Sequence, residues 1–185
     1  LSDTLDTIRA VESADYFIGI YPSSTSGYFE RLDPLLSVST FIQEGKDLGD
    51  RMKNTFFARF AEGYEQVVII GADSPSLPLA YIRQAFFSKQ DVVIGPSVDG
   101  GYYLIGMTGK LINLFDGIAW GGDTVLKETR CKLESNGVSL ELLPVWYDVD
   151  RSDDLIFLKT HLELMAAVGQ REGASTQKFL SDLAF

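Results

Sequence analysis

The stretch that most constrains the fold runs from Val67 to Pro78 and reads VVIIGADSPSLP. Four consecutive apolar residues, all of them valine or isoleucine and so strong strand formers, lead into a glycine and then, after Ala72, into Asp73. Pro75 and Pro78 follow closely, and proline cannot continue a strand because it has no backbone N–H. The pattern predicts a buried strand that carries a carboxylate to its carboxyl end, the edge of an α/β sheet where ligands bind.

A second acidic strand end lies about one helix further along the chain. Residues 95–106 read GPSVDGGYYLIG and repeat the order of apolar strand, glycine and aspartate, here Asp99. Two acidic strand ends in one sheet indicate a metal-assisted site for an anionic substrate.

Strands alternate with helices along the rest of the chain, which predicts one domain with a mostly parallel sheet and helices on both faces. The stretch 102–107 follows 92–94 with no room for a helix, so we expect it to run antiparallel. The predicted strands are 16–21, 40–43, 67–70, 92–94, 102–107 and 139–143, and the predicted helices are 1–11, 27–36, 48–60, 79–87, 123–135, 153–168 and part of 174–185.

Charge and composition exclude several classes of protein. The formal net charge of −10 argues against non-specific binding to nucleic acid or anionic membranes, which requires a basic surface. A single cysteine and a single histidine exclude a disulfide framework and a cysteine-rich or histidine-rich metal site. No apolar run approaches the about 18 residues of a membrane span, and no signal-peptide pattern is present, so we expect a soluble cytoplasmic protein.

Asp73 and Asp150 are the candidate metal ligands. Asp73 could bind Mg²⁺ or Mn²⁺ that bridges to a diphosphate, or it could cap the helix after Pro75. Asp150 follows the last strand and could complete the metal site, or it could start the next helix in a capping box with Asp153.

The Asp99 loop has two interpretations. Asp99 could hydrogen-bond a sugar hydroxyl or an acceptor, with Gly100 and Gly101 allowing a ligand close to the backbone and Tyr102 beside them. The alternative is a plain hairpin turn, because Asp-Gly is a strong turn signal.

Two further polar segments suit a nucleotide. The residues Gln43, Gly45, Gly49 and Arg51 lie between a strand and a helix, where they could form a nucleobase or ribose pocket or simply a solvated loop.

The segment from Trp120 to Asp123 opens a helix behind two glycines. Its free N–H groups suit a phosphate or an acceptor, whereas the alternative is that Asp123 is only an N-cap.

Taken in order, these motifs resemble those of bacterial nucleotide-diphospho-sugar transferases, also described as arsenosugar-biosynthesis-type glycosyltransferases, which are related to molybdenum-cofactor and phospholactate guanylyltransferases. The resemblance implies the three-layer GT-A fold, a Rossmann-like α/β architecture. The residues that carry it are Gln43-x-Gly45-x-Asp47-Leu-Gly49-x-Arg51-Met52, Gly71-x-Asp73-x-Pro75-x-Leu77-Pro78, Gly95-Pro-x-x-Asp99-Gly-Gly-Tyr102-Tyr-Leu-Ile-Gly106, Trp120 and Asp148-Val-Asp150.

The resemblance also implies roles for individual residues. Asp73 corresponds to the metal-binding aspartate and Asp150 to a second metal ligand. Gln43 and Gly49 fall in the region that holds the nucleobase, while Asp99 and Tyr102 fall near the sugar or acceptor. The expected partners are a nucleotide sugar or a nucleoside triphosphate, together with a small-molecule acceptor.

One departure from that group concerns the start of the chain. Members of the group begin with a strand and a glycine-containing loop bearing Lys and Arg, and no such segment precedes Leu1. We therefore expect a chain truncated at its N-terminus relative to the group, with exposed apolar strand edges that favour a homodimer.

Three functions follow from these observations. The first is a metal-dependent glycosyl transfer from a nucleotide sugar. The second is a nucleotidyl transfer that forms a diphosphate-linked product. The third is a degenerate GT-A domain that has lost catalysis and is retained for binding or assembly.

Overall fold

The computed structural model describes residues 1–22 and 38–182, so the helix predicted at 27–36 lies outside the described residues. The described helices are α1 (Ser2–Arg9), α2 (Leu48–Ala61), α3 (Leu79–Phe87), α4 (Val125–Asn136), α5 (Ser152–Ala167) and α6 (Ala174–Ser181). The strands are β1 (Phe17–Ile20), β2 (Ser39–Ile42), β3 (Gln66–Ile70), β4 (Val92–Pro96), β5 (Tyr102–Thr108) and β6 (Leu140–Leu142).

Four strands form the central sheet in the order β3-β5-β4-β6. Strand β5 is antiparallel to both β3 and β4, as predicted from the short connection that precedes it. Strand β6 is parallel to β4, so β3, β4 and β6 share one direction. The carboxyl ends of these three strands therefore lie at the same edge of the sheet, which is where the candidate aspartates follow.

Both faces of the central sheet are buried, because successive side chains of a strand point to opposite faces. On one face, Val92 and Ile94 of β4 pack with the α2 residue Phe56. On the other face, Val93 packs with Ile82 of α3. The two clusters lie between the sheet and the helices on either side of it, which gives a three-layer α/β structure.

A second sheet consists of β1 and β2, which are parallel. Between β1 and β3 lies a cavity of about 790 Å³. Every residue from Gln66 to Ile70 lines this cavity. Because alternate side chains of a strand point to opposite faces of the sheet, a cavity on one face would contact only every second residue, so this cavity runs along the backbone edge of β3. Within the described residues, β3 therefore pairs with β5 on one edge and borders this cavity on the other.

Helix ends follow local sequence signals. Asp47 caps α2 by accepting a hydrogen bond from the Asp50 N–H at 2.8 Å. Gly137 ends α4 in the left-handed conformation with φ of 60°, as the Asn136-Gly137 pair predicts.

None of the helices in the described ranges is long and apolar enough to cross a membrane.

We expect Phe56→Ala to lower the free energy of unfolding by about 3–5 kcal/mol, because the side chain is fully buried and packs against Phe60 and Phe115. Urea unfolding measures the change. The matched control is Phe57→Ala, since its side chain is 66% exposed one position further along the same helix. Equal losses in the two variants would contradict this assignment of the core.

Candidate functional site

Asp73 lies in the loop that connects β3 to α3, three residues beyond the end of the strand. The N-cap of α3 is Pro78, so the alternative that Asp73 caps this helix is wrong. The loop instead folds on itself through a hydrogen bond from the Leu77 N–H to the Ser74 carbonyl at 3.1 Å. Asp73 is exposed, so its carboxylate is accessible to a ligand.

The chain that follows β6 runs across the carboxyl ends of the central strands. The Leu143 N–H donates to the Ile94 carbonyl at 2.8 Å and the Trp146 N–H to the Pro96 carbonyl at 3.0 Å. Further along, the Val149 N–H donates to the Asp73 carbonyl at 3.1 Å. These bonds place Asp148 and Asp150 beside the Asp73 loop.

Asp150 precedes α5 without capping it. The N-cap is Arg151, and the Asp154 carboxylate accepts hydrogen bonds from the Asp150 and Arg151 N–H groups at 3.0 and 2.8 Å. The predicted alternative, a capping box between Asp150 and Asp153, is therefore wrong. Asp150 is exposed, and its carboxylate is not engaged by the helix start.

Negative charge accumulates around Asp73. Desolvation by the surrounding protein raises the pKa of the Asp73 carboxyl, and the charge of Asp148 raises that pKa further. Asp150 and then Asp99 add smaller contributions in the same direction. Three carboxylates from two neighbouring loops thus act on Asp73, and such a concentration of negative charge attracts a cation.

Asp148 is the site residue whose role the sequence did not reveal. Its two carboxylate oxygens accept hydrogen bonds from the hydroxyls of Ser74, at 2.6 Å, and of Ser97. The acidic stretch 148–150 is visible in the sequence, but the serine partners are 74 and 51 residues away along the chain. Only the fold brings these three side chains together.

The Asp99 loop is a tight turn between β4 and β5, as its alternative interpretation predicted. The Gly101 N–H donates to Asp99 Oδ1 at 2.9 Å, and the Ser97 N–H donates to the Gly101 carbonyl at 3.1 Å. Asp99 is exposed at the tip of the turn. A turn can still present a carboxylate to a ligand, so its binding role stays a prediction.

The Trp120–Asp123 segment contacts the Asp99 loop through its backbone. A Cβ at Gly100 would lie 2.3 Å from the Asp123 carbonyl oxygen, so only glycine allows the two segments to approach this closely. The positive φ of Gly100, 93°, also favours glycine at this position. The N-cap of α4 is Thr124, so the alternative that Asp123 caps this helix is wrong. The start of α4 is instead tied to Gly100 by the Leu126 N–H, which donates to its carbonyl at 2.8 Å.

Trp120 joins two of the segments predicted to bind a nucleotide. A Cβ at Gly49 would lie 2.1 Å from the indole Nε1, so the indole packs directly on the first turn of α2. Tyr102 also packs against the indole edge-on, with ring centroids 6.3 Å apart. Burial raises the pKa of the Tyr102 phenol, which faces the core rather than an open site.

Arg51 and Gln43 lie toward the carboxyl ends of β1 and β2. The Arg51 guanidinium stacks over the Tyr21 ring at 4.0 Å, and Gln43 covers Gly19, where a Cβ would meet its side chain at 2.9 Å. The structure brings Gly45 against the backbone of Arg51 with a φ of 151°. Gln43 also lines the cavity beside β3.

Comparison with family models assigns the chain. Residues 4–122 match the family described as "Uncharacterized protein conserved in bacteria (DUF2064)". The chain belongs to the DUF2064 family. No curated protein matches the sequence.

Two solved structures resemble this DUF2064 chain. One is described as a "putative nucleotide-diphospho-sugar transferase" from Desulfovibrio desulfuricans G20, with 31% identity, a TM-score of 0.84 and coverage of 96% of this chain and 78% of that one. The other is 4-diphosphocytidyl-2C-methyl-D-erythritol synthase, with 14% identity, a TM-score of 0.60 and coverage of 85% and 86%. The first confirms the expected family, and the two together confirm the GT-A-like fold.

The donor set fits a cation that is shared with a ligand. In residues 1–22 and 38–182, no group of three or more His, Cys, Asp or Glu side chains could hold a metal ion by itself. Mg²⁺ is commonly bound by one or two carboxylates, with substrate phosphates and water as its remaining ligands. Asp73 and Asp150 suit that mode, and their metal role stays a prediction.

We expect Gly49→Ala to destabilise the DUF2064 chain by about 1–3 kcal/mol, because the new methyl group would overlap the Trp120 indole. This outcome reverses the gain of about 1 kcal/mol that alanine normally brings to a helix. Urea unfolding and tryptophan fluorescence measure the effect. The control is Gly122→Ala, whose Cβ would find its nearest neighbour at 3.7 Å. A stabilised Gly49→Ala variant with unchanged fluorescence would refute the packing.

We expect Asp73→Asn to raise the melting temperature at pH 7 in the presence of a chelator. The folded-state pKa of Asp73 is raised, so its ionisation favours the unfolded chain once the pH exceeds the ordinary carboxyl range. The gain should disappear below that range, where Asp73 is protonated in both states. Asp153→Asn, an exposed aspartate of α5, is the control and should give no such pH-dependent gain.

Proposed function

We propose that the DUF2064 chain is a metal-dependent transferase that acts on a nucleotide-diphospho-sugar. The observation that carries the proposal is the set of carboxylates around Asp73 at the carboxyl edge of the sheet, the edge where ligands of open α/β sheets bind. The 31% identity to the Desulfovibrio desulfuricans G20 protein, described as such a transferase, supports the same substrate class.

The overall charge supports a cation between protein and substrate. A protein of formal net charge −10 repels a nucleotide diphosphate unless positive charge lies between them. Asp73 and Asp150 would hold a divalent ion, Mg²⁺ or Mn²⁺. When bound, such an ion stabilises the negative charge of the diphosphate leaving group.

The remaining residues would bind and orient the two substrates. The Trp120 indole, packed on the first turn of α2 at Gly49, would offer an aromatic wall for a nucleobase, and Arg51 in the same helix would offer a cation. Asp99, at the tip of an exposed turn, would accept a hydrogen bond from an acceptor hydroxyl and orient it for attack.

The test is a thermal-shift panel of UDP-, GDP-, ADP- and TDP-sugars and nucleoside triphosphates, each with and without Mn²⁺. We expect one nucleotide class to raise the melting temperature only with Mn²⁺, because a ligand that binds only the folded state stabilises it. Asp73→Asn should lose that shift and Asp153→Asn should keep it. A shift that survives in Asp73→Asn would refute the proposed metal site.

Product analysis separates glycosyl transfer from the related nucleotidyl transfer. Release of a nucleoside diphosphate from a sugar donor supports the proposal, whereas release of pyrophosphate from a nucleoside triphosphate identifies a nucleotidyltransferase. Absence of any shift in the panel would favour a domain retained for binding or assembly.

A further inference from the structure

We propose that Asp148 is a positioning residue that holds Asp73 and Asp150 in place for one shared divalent cation. The inference rests on the proposed function, since it concerns the cation site of that transferase. In this role Asp148 acts through its hydrogen bonds with Ser74 and Ser97 and does not itself bind the ion.

The Asp148 carboxylate joins the ends of two strands. Ser74, the residue after Asp73, donates its hydroxyl to Oδ1 at 2.6 Å, and Ser97 at the end of β4 donates to Oδ2. The two serines are almost fully buried, with 2% and 5% of their surface exposed. Both oxygens of Asp148 are therefore committed to hydroxyl groups inside the protein.

The backbone around Asp148 fixes the same loops. The Val149 N–H donates to the Asp73 carbonyl at 3.1 Å, and Ser74 also contacts the Tyr147 carbonyl at 3.0 Å. Asp73 and Asp150 lie on the two chain segments that these bonds connect. Both candidate ligands thus lie within or directly beside one hydrogen-bonded frame, formed by residues 73–74, 97 and 147–149, with Asp148 at its centre.

Loss of this frame should weaken cation binding. Without the Asp148 carboxylate, the Ser97 hydroxyl loses its acceptor and the 147–150 segment loses its side-chain tie to β4. The two ligands would then have to be ordered when the ion binds. Partners that orient metal ligands typically contribute about 10–100-fold to metal affinity.

The test compares Asp148→Ala with Asp148→Asn in titrations with Mn²⁺ alone, followed by electron paramagnetic resonance of the free ion. An asparagine can accept from one serine with its oxygen and donate to the other with its amide, so it keeps both ties but removes the charge. We expect Asp148→Ala to weaken Mn²⁺ binding about 10–100-fold and Asp148→Asn to stay within about threefold of wild type.

A second variant keeps the proposal testable if Asp148→Ala does not fold. The double variant Ser74→Ala/Ser97→Ala retains the carboxylate and removes both hydroxyl donors, so we expect the same loss of Mn²⁺ affinity. Asp153→Ala, which removes an exposed carboxylate from the start of α5, is the control for overall charge. Circular dichroism of each variant checks that it is folded.

The outcomes distinguish this inference from the proposed function. Equal losses in Asp148→Asn and Asp148→Ala would show that Asp148 acts through its charge, which overturns positioning. Wild-type affinity in Asp148→Ala or in the double serine variant would also overturn it, while leaving the cation site intact. If wild-type protein binds no Mn²⁺, either alone or together with UDP, GDP, ADP or TDP, both the positioning role and the cation site of the proposed function fail.

Discussion

The backbone hydrogen bonds that carry residues 143–149 across the strand ends are the interaction on which the acidic site depends. They begin at Ile94, pass Pro96 and finish at the Asp73 carbonyl, so one segment connects the ends of β4 and β3. These bonds hold the loops together against the repulsion between their aspartates. The site is therefore a product of strand-end geometry more than of any single side chain.

Such an arrangement concentrates like charges that oppose the ionisation of Asp73. The pKa of Asp73 is raised because desolvation by the surrounding protein and three neighbouring carboxylates oppose its ionisation. An arrangement of this kind is expected where binding, and not stability, is served. The buried sheet, with Val92, Val93 and Ile94 almost fully enclosed, supplies the stability that the acidic edge lacks.

Much of the fold could be predicted because its signals are local. Apolar runs gave the central strands, and the short link before β5 gave its antiparallel direction. The aspartates at strand ends were also visible, since Asp73 lies two residues after the glycine that follows β3. The capping alternatives for Asp123 and Asp150 failed by one residue, because local sequence specifies poorly where a helix begins. The alternative for Asp73 failed by more, since the N-cap of α3 is Pro78.

The rest of the site depends on contacts between distant parts of the chain. The pairs Ser74–Asp148 and Ser97–Asp148 join residues that no periodicity or spacing relates. The same holds for the contact between Trp120 and Gly49, which lie 71 positions apart in the sequence. The indole occupies the space that a side chain at position 49 would need. The binding roles of Gln43, Gly45, Arg51, Gly101 and Tyr102 stay predictions, because no bound ligand tests them.

The cavity beside β3 has a consequence for motion at the site. Amides on the cavity side of Gln66–Ile70 have no strand partner among the described residues, so their exchange with solvent should be faster than that of amides facing β5. Asp73 follows the same strand by only three residues. Any segment that fills this space would stiffen β3 and, through it, the placement of the Asp73 carboxylate, so occupancy of the cavity and order at the acidic edge should rise together.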